Sequence, residues 1–225
     1  MAIVRRPAIR AGAAALLLSL AAAGCGDGAG DVSAAPAGGA DGPRPGPATT
    51  LPPAVNGVRV LYDDLWTVEE GQWWLGSADA YFGDEIPTFR QLLESVNSGA
   101  VSITVPGADG RYRARVELRD VPPTIASWCE DAAEASLEVP SGKRAITMGS
   151  FESFDDLPVA GAGWYRVRYC TEQQDRAAGE DAFVGEDYAT YSGRHLIQVW
   201  PAPPAADEAL REGSDWARRL TTARP

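Results

Sequence analysis

From Val58 onward the chain alternates apolar and polar positions in short runs, the pattern of strands with one face on a core and one face in water. Val58-Arg59-Val60-Leu61-Tyr62 opens the series. Val101, Ile103 and Val105 alternate with Ser102 and Thr104. After Gly107-Ala108-Asp109-Gly110, the residues Tyr112, Ala114, Val116 and Leu118 alternate with Arg111, Arg113, Arg115, Glu117 and Arg119. The turn chemistry between these two runs predicts a hairpin whose apolar side chains all face the core. Ser136–Val139 and Arg144–Met148 are shorter strand candidates around Pro140-Ser141-Gly142. Trp164–Cys170 places Tyr165, Val167 and Tyr169 on one face and Arg166 and Arg168 on the other. His195–Trp200 is the last strand, stopped by Pro201, Pro203 and Pro204.

Two stretches follow the helical period instead. Pro87 at the start, Phe89, Leu92, Leu93 and Val96 on one side, and Gly99 beyond predict a helix over 87–97. Leu210, Gly213, Ala217 and Leu220 share a face, with Asp207 as a cap, and predict a helix over 207–220. Residues 151–158 read as an acidic loop, and 171–194, polar and acidic, as a long loop or a flexible hairpin. The whole predicts a mostly antiparallel β-sandwich of about seven strands with one or two added helices, one of them C-terminal. An immunoglobulin domain is not indicated, because Tyr169 lies one residue before Cys170, not two.

The first 53 residues have a different pattern. Arg5, Arg6 and Arg10 precede an unbroken apolar or small run from Ala11 to Ala23, 13 residues long. That is too short for a hydrocarbon layer of about 30 Å and matches a signal-peptide core. Leu20-Ala21-Ala22-Ala23-Gly24-Cys25 closes it and resembles the lipobox of bacterial lipoproteins. The resemblance implies cleavage before Cys25, so that 1–24 is a leader, and a diacylglycerol on the Cys25 thiol. Two or more acyl chains make a stable tether at about 0.8 kcal/mol per buried CH₂. An ordinary cleaved signal is the alternative. Residues 26–53 contain 19 Gly, Ala or Pro among 28, which predicts a disordered linker from Cys25 to residue 53. As a flexible coil its ends lie about 30 Å apart. The domain is then 54–225, displayed on the extracytoplasmic face of the cell membrane.

Charge and cysteines sharpen this picture. The chain carries 20 basic and 31 acidic residues, net −11; loss of the leader removes three arginines and no acid, leaving −14. Such a domain is a poor partner for nucleic acid or anionic lipid and suits solubility or a basic partner, in keeping with a protein partner on the cell surface. With Cys25 lipidated, Cys129 and Cys170 remain. Outside the cytoplasm they pair most simply as a disulfide; two unpaired buried thiols are the alternative.

The candidate chemistry is sparse. His195 is the sole histidine, no Gly-x-Ser-x-Gly elbow is present, and neither a calcium loop nor a phosphate-binding glycine motif occurs. The adjacent acids, such as Asp63-Asp64 and Asp155-Asp156, do not meet a glycosidase's need for two carboxylates at fixed separation across a cleft. No catalytic residue, metal or cofactor is assigned, and an enzyme is not expected. The most distinctive feature is a row of arginines: Arg111, Arg113, Arg115 and Arg119 on one strand, joined by Arg166 and Arg168 on another. Guanidinium forks bind carboxylates and phosphates in pairs of hydrogen bonds, so the row is a candidate binding stripe. The alternative is a solvated face, paired across strands with Glu117, Glu138 and other acids. Two functions follow: a membrane-tethered binding module, inhibitor-like in one form, or an envelope glycan-binding or glycan-cleaving protein using Trp66, Trp73, Trp74, Tyr81 and Phe82 with nearby acids. The order of first strand, tryptophan-rich stretch, W-Y-R-V-R-Y and H-L-I-Q-V-W-P over Val58–Trp66, Trp164–Cys170 and His195–Pro201 also resembles competence protein J, an inhibitor of a secreted DNA-entry nuclease. That resemblance implies an inhibitor with a protein target.

Overall fold

A computed structural model describes residues 50–76, 91–150, 154–180, 183–184 and 187–222. The expected leader, Cys25 and the linker up to residue 49 lie outside the described residues, as do Tyr81, Phe82, Pro87 and Phe89. The described chain is mostly β, in two sheets that share one core. In order the elements are β1 (Val58–Val68), β2 (Gln72–Gly76), β3 (Leu93–Asn97), β4 (Ala100–Thr104), β5 (Gly110–Arg119), β6 (Asp131–Val139), β7 (Ala145–Gly149), β8 (Phe154–Pro158), β9 (Gly163–Thr171), α1 (Gln174–Ala177), β10 (Phe183–Val184), β11 (Asp187–Tyr188), β12 (His195–Pro201), β13 (Glu208–Glu212) and α2 (Asp215–Thr222). One sheet runs β1-β5-β12-β9-β6-β13 and the other β3-β4-β2-β7-β8, with β10-β11 a separate ribbon. Pairing is antiparallel except where β12 lies parallel to β5.

The expected hairpin is not one. β4 pairs with β2 and β3, whereas β5 pairs with β1 and β12, so the 107–110 turn carries the chain from one sheet to the other. The turn at 140–142 does the same between β6 and β7, in different sheets. Period-two alternation fixes which face is buried but not which sheet a strand joins, because both inner faces of a sandwich are apolar. Glycine is required in the first of these crossings. Gly110 has φ +151°, and a Cβ there would lie 2.2 Å from the Tyr191 ring, which stacks on Tyr112 at 4.8 Å.

Both expected helices are partly strand. Leu93–Asn97 pairs with β4, and Glu208–Glu212 pairs with β6 at the sheet edge; the helix begins only at Asp215. Glu, Ala, Leu and Arg favour helix intrinsically, and the unpaired edge of β6 overrides them. Asp131 on β6 then sets the helix start. Its buried carboxylate accepts from the Gly213 and Ser214 N–H groups (2.8 and 3.0 Å) and the Ser214 hydroxyl (2.7 Å), while Ser214 Oγ accepts from Ala217 N–H at 3.0 Å. Residues 154–158 hold a strand where a loop was expected. Within 171–194 a helical turn, α1, precedes the antiparallel pair of Phe183–Val184 with Asp187–Tyr188, which fits the hairpin alternative for that stretch.

The core lies between the sheets. Trp73 and Leu75 of β2, Val101 and Ile103 of β4, and Met148 of β7 meet Tyr112, Val116, Val167, Tyr169 and Ile197 from the larger sheet. Each large apolar side chain buried there contributes roughly 1.5–3 kcal/mol. The rows predicted to face inward from β5 and β9 do so.

Candidate functional site

The outer face of the six-stranded sheet carries the arginine row. Strand β5 presents Arg111, Arg113, Arg115, Glu117 and Arg119 at every second position. Register sets Leu65 and Asp63 of β1 beside Arg113 and Arg115, and Leu196 and Gln198 of β12 beside Arg115 and Glu117. On the far side, Arg168 of β9 stands between Gln198 and Glu134 of β6.

This face divides into a covered half and an open half. Arg166 and Arg168 are buried rather than presented to solvent. Arg166 reaches Glu134 at 3.1 Å, Ser136 Oγ at 2.9 Å and the carbonyls of Ala205 and Ala206 at 3.0 and 3.2 Å. Arg168 Nε donates to Glu134 at 2.8 Å, Nη1 donates to the Pro123 carbonyl at 2.5 Å, and the guanidinium lies 5.3 Å from the Trp200 ring. The backbone that caps these guanidiniums comes from the connections after β5 and after β12. The alternation that marked them as outward-facing carries no information about later chain lying over them.

The open half is β1, β5 and the start of β12. Arg119 and Arg115 flank Glu117, and Arg115 also pairs with Asp63. Burial alone would raise the Glu117 carboxyl; hydrogen bonds from Arg115, Arg119 and Gln198 outweigh it and hold the group below the ordinary carboxylate range. Arg111 donates to the Tyr188 carbonyl at 2.8 Å. Arg113 is exposed and has no carboxylate partner among the described residues.

Arg113 stands on a groove of about 270 Å³ with Arg115, Trp128, Arg194 and Leu196. Arg194 is held by Glu172 through two hydrogen bonds of 2.6 and 3.0 Å and lies 4.2 Å over the Trp128 ring. Trp128 is the neighbour of Cys129, which is joined to Cys170 on β9 with Cα atoms 5.5 Å apart. The disulfide thus pins the wall of the groove to the sheet. A second, shallower depression of about 430 Å³ shares Arg115 and Glu117 and is lined by Pro52, Pro53, Val55 and Val60. Val55 is 70% exposed and Val60 37%, so this is an apolar shelf open to solvent. Asn56-Gly57 builds it: both have positive φ (53° and 74°), and Val55 and Val58 exchange backbone hydrogen bonds of 2.9 and 3.1 Å across them.

No family model matches this chain, and no curated protein matches it. Among solved structures, its fold is similar to that of ComJ from Bacillus subtilis, an inhibitor of the DNA-degrading activity of NucA, with TM-score 0.46 and 12% identity over 64% of this chain and 98% of that one. It is similar also to the product of crocagin biosynthetic gene J, with TM-score 0.43 and 15% identity over 65% of this chain and 99% of that one. These likenesses concern the arrangement of strands, and no residue role is carried across.

Other candidate residues lie away from this face. Trp66, Trp73 and Trp74 are buried, at 4%, 0% and 2% exposure. His195, the first residue of β12, is buried between Trp73, Tyr112 and Tyr169 and hydrogen-bonds the Tyr169 hydroxyl through Nδ1. Burial lowers its pKa to about 3. The native state therefore holds a neutral ring, whereas the unfolded chain gains a proton below about pH 6.5. Stability is complete above that pH and falls as the pH drops towards 3, by about 1.4 kcal/mol per unit. Unfolding free energies from urea titrations at pH 6.5 and 5.0 should differ by about 1.6 kcal/mol, and His195→Gln should abolish that difference. An unchanged slope in the variant would assign the loss to carboxylates instead.

Arg194 and Trp128 were not among the sequence candidates. A signal for Arg194 exists, since the inward His195 places its neighbour on the outer face. Trp128 carries only its adjacency to Cys129.

Proposed function

We propose that the domain is a non-catalytic binding module, tethered through lipidated Cys25 outside the cytoplasm, that holds a protein partner on the open half of the outer sheet face. In its stronger form it is an inhibitor, with an enzyme as the partner. Arg113 carries this reading. It is an exposed guanidinium without a carboxylate partner among the described residues, while its neighbours Arg115 and Arg119 are paired. It borders both a preorganised groove and, through Arg115, an exposed apolar shelf. An apolar patch rimmed by polar groups is the usual composition of an interaction surface.

The test is capture by the full-length chain from envelope and secreted fractions, with Arg113→Glu and Arg219→Glu compared. Arg219 lies on α2, outside the groove and shelf. A partner retained by the native chain and by Arg219→Glu, but lost with Arg113→Glu and at high salt, supports the reading. Equal retention by both variants removes it. In the same cells Cys25→Ser should move the protein from the membrane to the soluble fraction.

A further inference from the structure

We infer that the groove at Arg113 is a site for one carboxylate, and that the partner presents it on an extended segment with an aliphatic side chain four residues away. This rests on the binding-module reading and names the chemistry that the module recognises.

The charge balance selects the ligand. The ion-paired network around the groove holds Asp63, Glu117 and Glu172 against Arg115, Arg119 and Arg194. Arg113 adds one positive charge that no acid among the described residues balances. A single carboxylate neutralises the cluster. A phosphate monoester brings up to two negative charges beside Asp63, itself 46% exposed at its side chain, so its second charge meets repulsion. A nucleic-acid strand meets the same repulsion, within a domain that is acidic throughout.

The geometry selects the neighbour. Arg194 is already fixed by Glu172 and the Trp128 ring, so its positive charge and the adjacent Leu196 form a rigid wall opposite Arg113. A carboxylate entering there finds Arg113 free to close on it with two hydrogen bonds. The apolar shelf begins where Val60 faces Glu117 across the β1–β5 pair. Glu117 lies four residues along β5 from Arg113, about 13 Å in a strand. An extended peptide covers about 13 Å in four residues as well. A segment lying along β5 therefore sets an acid at Arg113 and an aliphatic side chain on Val60, Val55 and Pro53.

The experiment is selection of a random nine-residue peptide library on the full-length chain, run in parallel on Arg113→Glu. The expected result is enrichment of peptides with Asp or Glu four residues from Leu, Ile or Val, in either order, and loss of that class on the variant. A synthetic peptide of the enriched class should bind the native chain roughly tenfold or more tighter than its Asp→Asn counterpart. Arg113→Gln should erase that difference. Both variants should share the native unfolding midpoint, because Arg113 is exposed. Acid-free sequences, an acid–aliphatic class that persists on Arg113→Glu, or tighter binding of the phosphoserine counterpart would each overturn the carboxylate site while leaving a binding module in place. No enrichment on either chain would overturn the module as well.

Discussion

Glu134→Ala should lower the unfolding free energy by about 3–5 kcal/mol, the range for breaking a buried ion pair by removing one partner. Glu134 is the acid shared by Arg166 and Arg168, and the three side chains are 13%, 7% and 9% exposed. Removing it leaves two guanidiniums under chain that excludes water, with their remaining hydrogen bonds going to Ser136 and to the carbonyls of Pro123, Ala205 and Ala206. Those neutral acceptors do not offset two buried charges. Glu134→Gln keeps one acceptor oxygen and should lose less. The triple change of Glu134, Arg166 and Arg168 to apolar residues of similar size should recover most of the loss, because it removes the charges together with their partner. Urea unfolding of the full-length chain at pH 7 checks all three. A Glu134→Ala loss below about 1 kcal/mol would mean that water reaches these arginines, as at an ordinary surface pair.

The second large effect belongs to the disulfide. Cys129 and Cys170 are separated by 41 residues and are 3% and 0% exposed. In the loop-entropy model a link of that span stabilises the fold by about 4 kcal/mol. The double Cys129→Ala, Cys170→Ala variant should therefore unfold at a much lower urea concentration, and reductant should act slowly on the native protein because both cysteines are buried. The same variant tests how the binding face is built. Trp128 and Arg194 form the groove wall beside Cys129, so partner retention should weaken even where the domain stays folded. Full stability in the variant would show that the segment before β6 is held by its backbone hydrogen bonds, such as Glu130 N–H to the Thr171 carbonyl at 2.9 Å.

The mostly β sandwich was legible because inward rows such as Tyr112-Ala114-Val116-Leu118 and Tyr165-Val167-Tyr169 alternate without a break. Their partners were not. Whether β4 and β5 make a hairpin or cross between sheets depends on which strand meets each edge, and nothing local to Gly107–Gly110 states that. Leu93–Asn97 and Glu208–Glu212 were misassigned for a related reason. Their composition allows a helix, and strand pairing at β4 and β6 decides against it. Of the arginine row, β5 and β9 could be placed on the outer face from period two alone. That later backbone would cover Arg166 and Arg168 and leave Arg113 open was not readable, since it depends on segments joined to the face by carbonyl groups. The shelf carried a missed signal in Asn56-Gly57, a tight-turn pair directly before the first strand.

Site-specific photocrosslinking in cells tests the central claim most directly. A photoreactive residue is placed at Val55 or Val60 on the open shelf, with Arg113 kept, or at Lys143 or Arg219 away from the groove and shelf. The account predicts one crosslinked protein species from positions 55 and 60 and none from 143 and 219. Crosslinks that appear at 143 or 219 with none at 55 and 60 would contradict it and move the partner surface off this sheet.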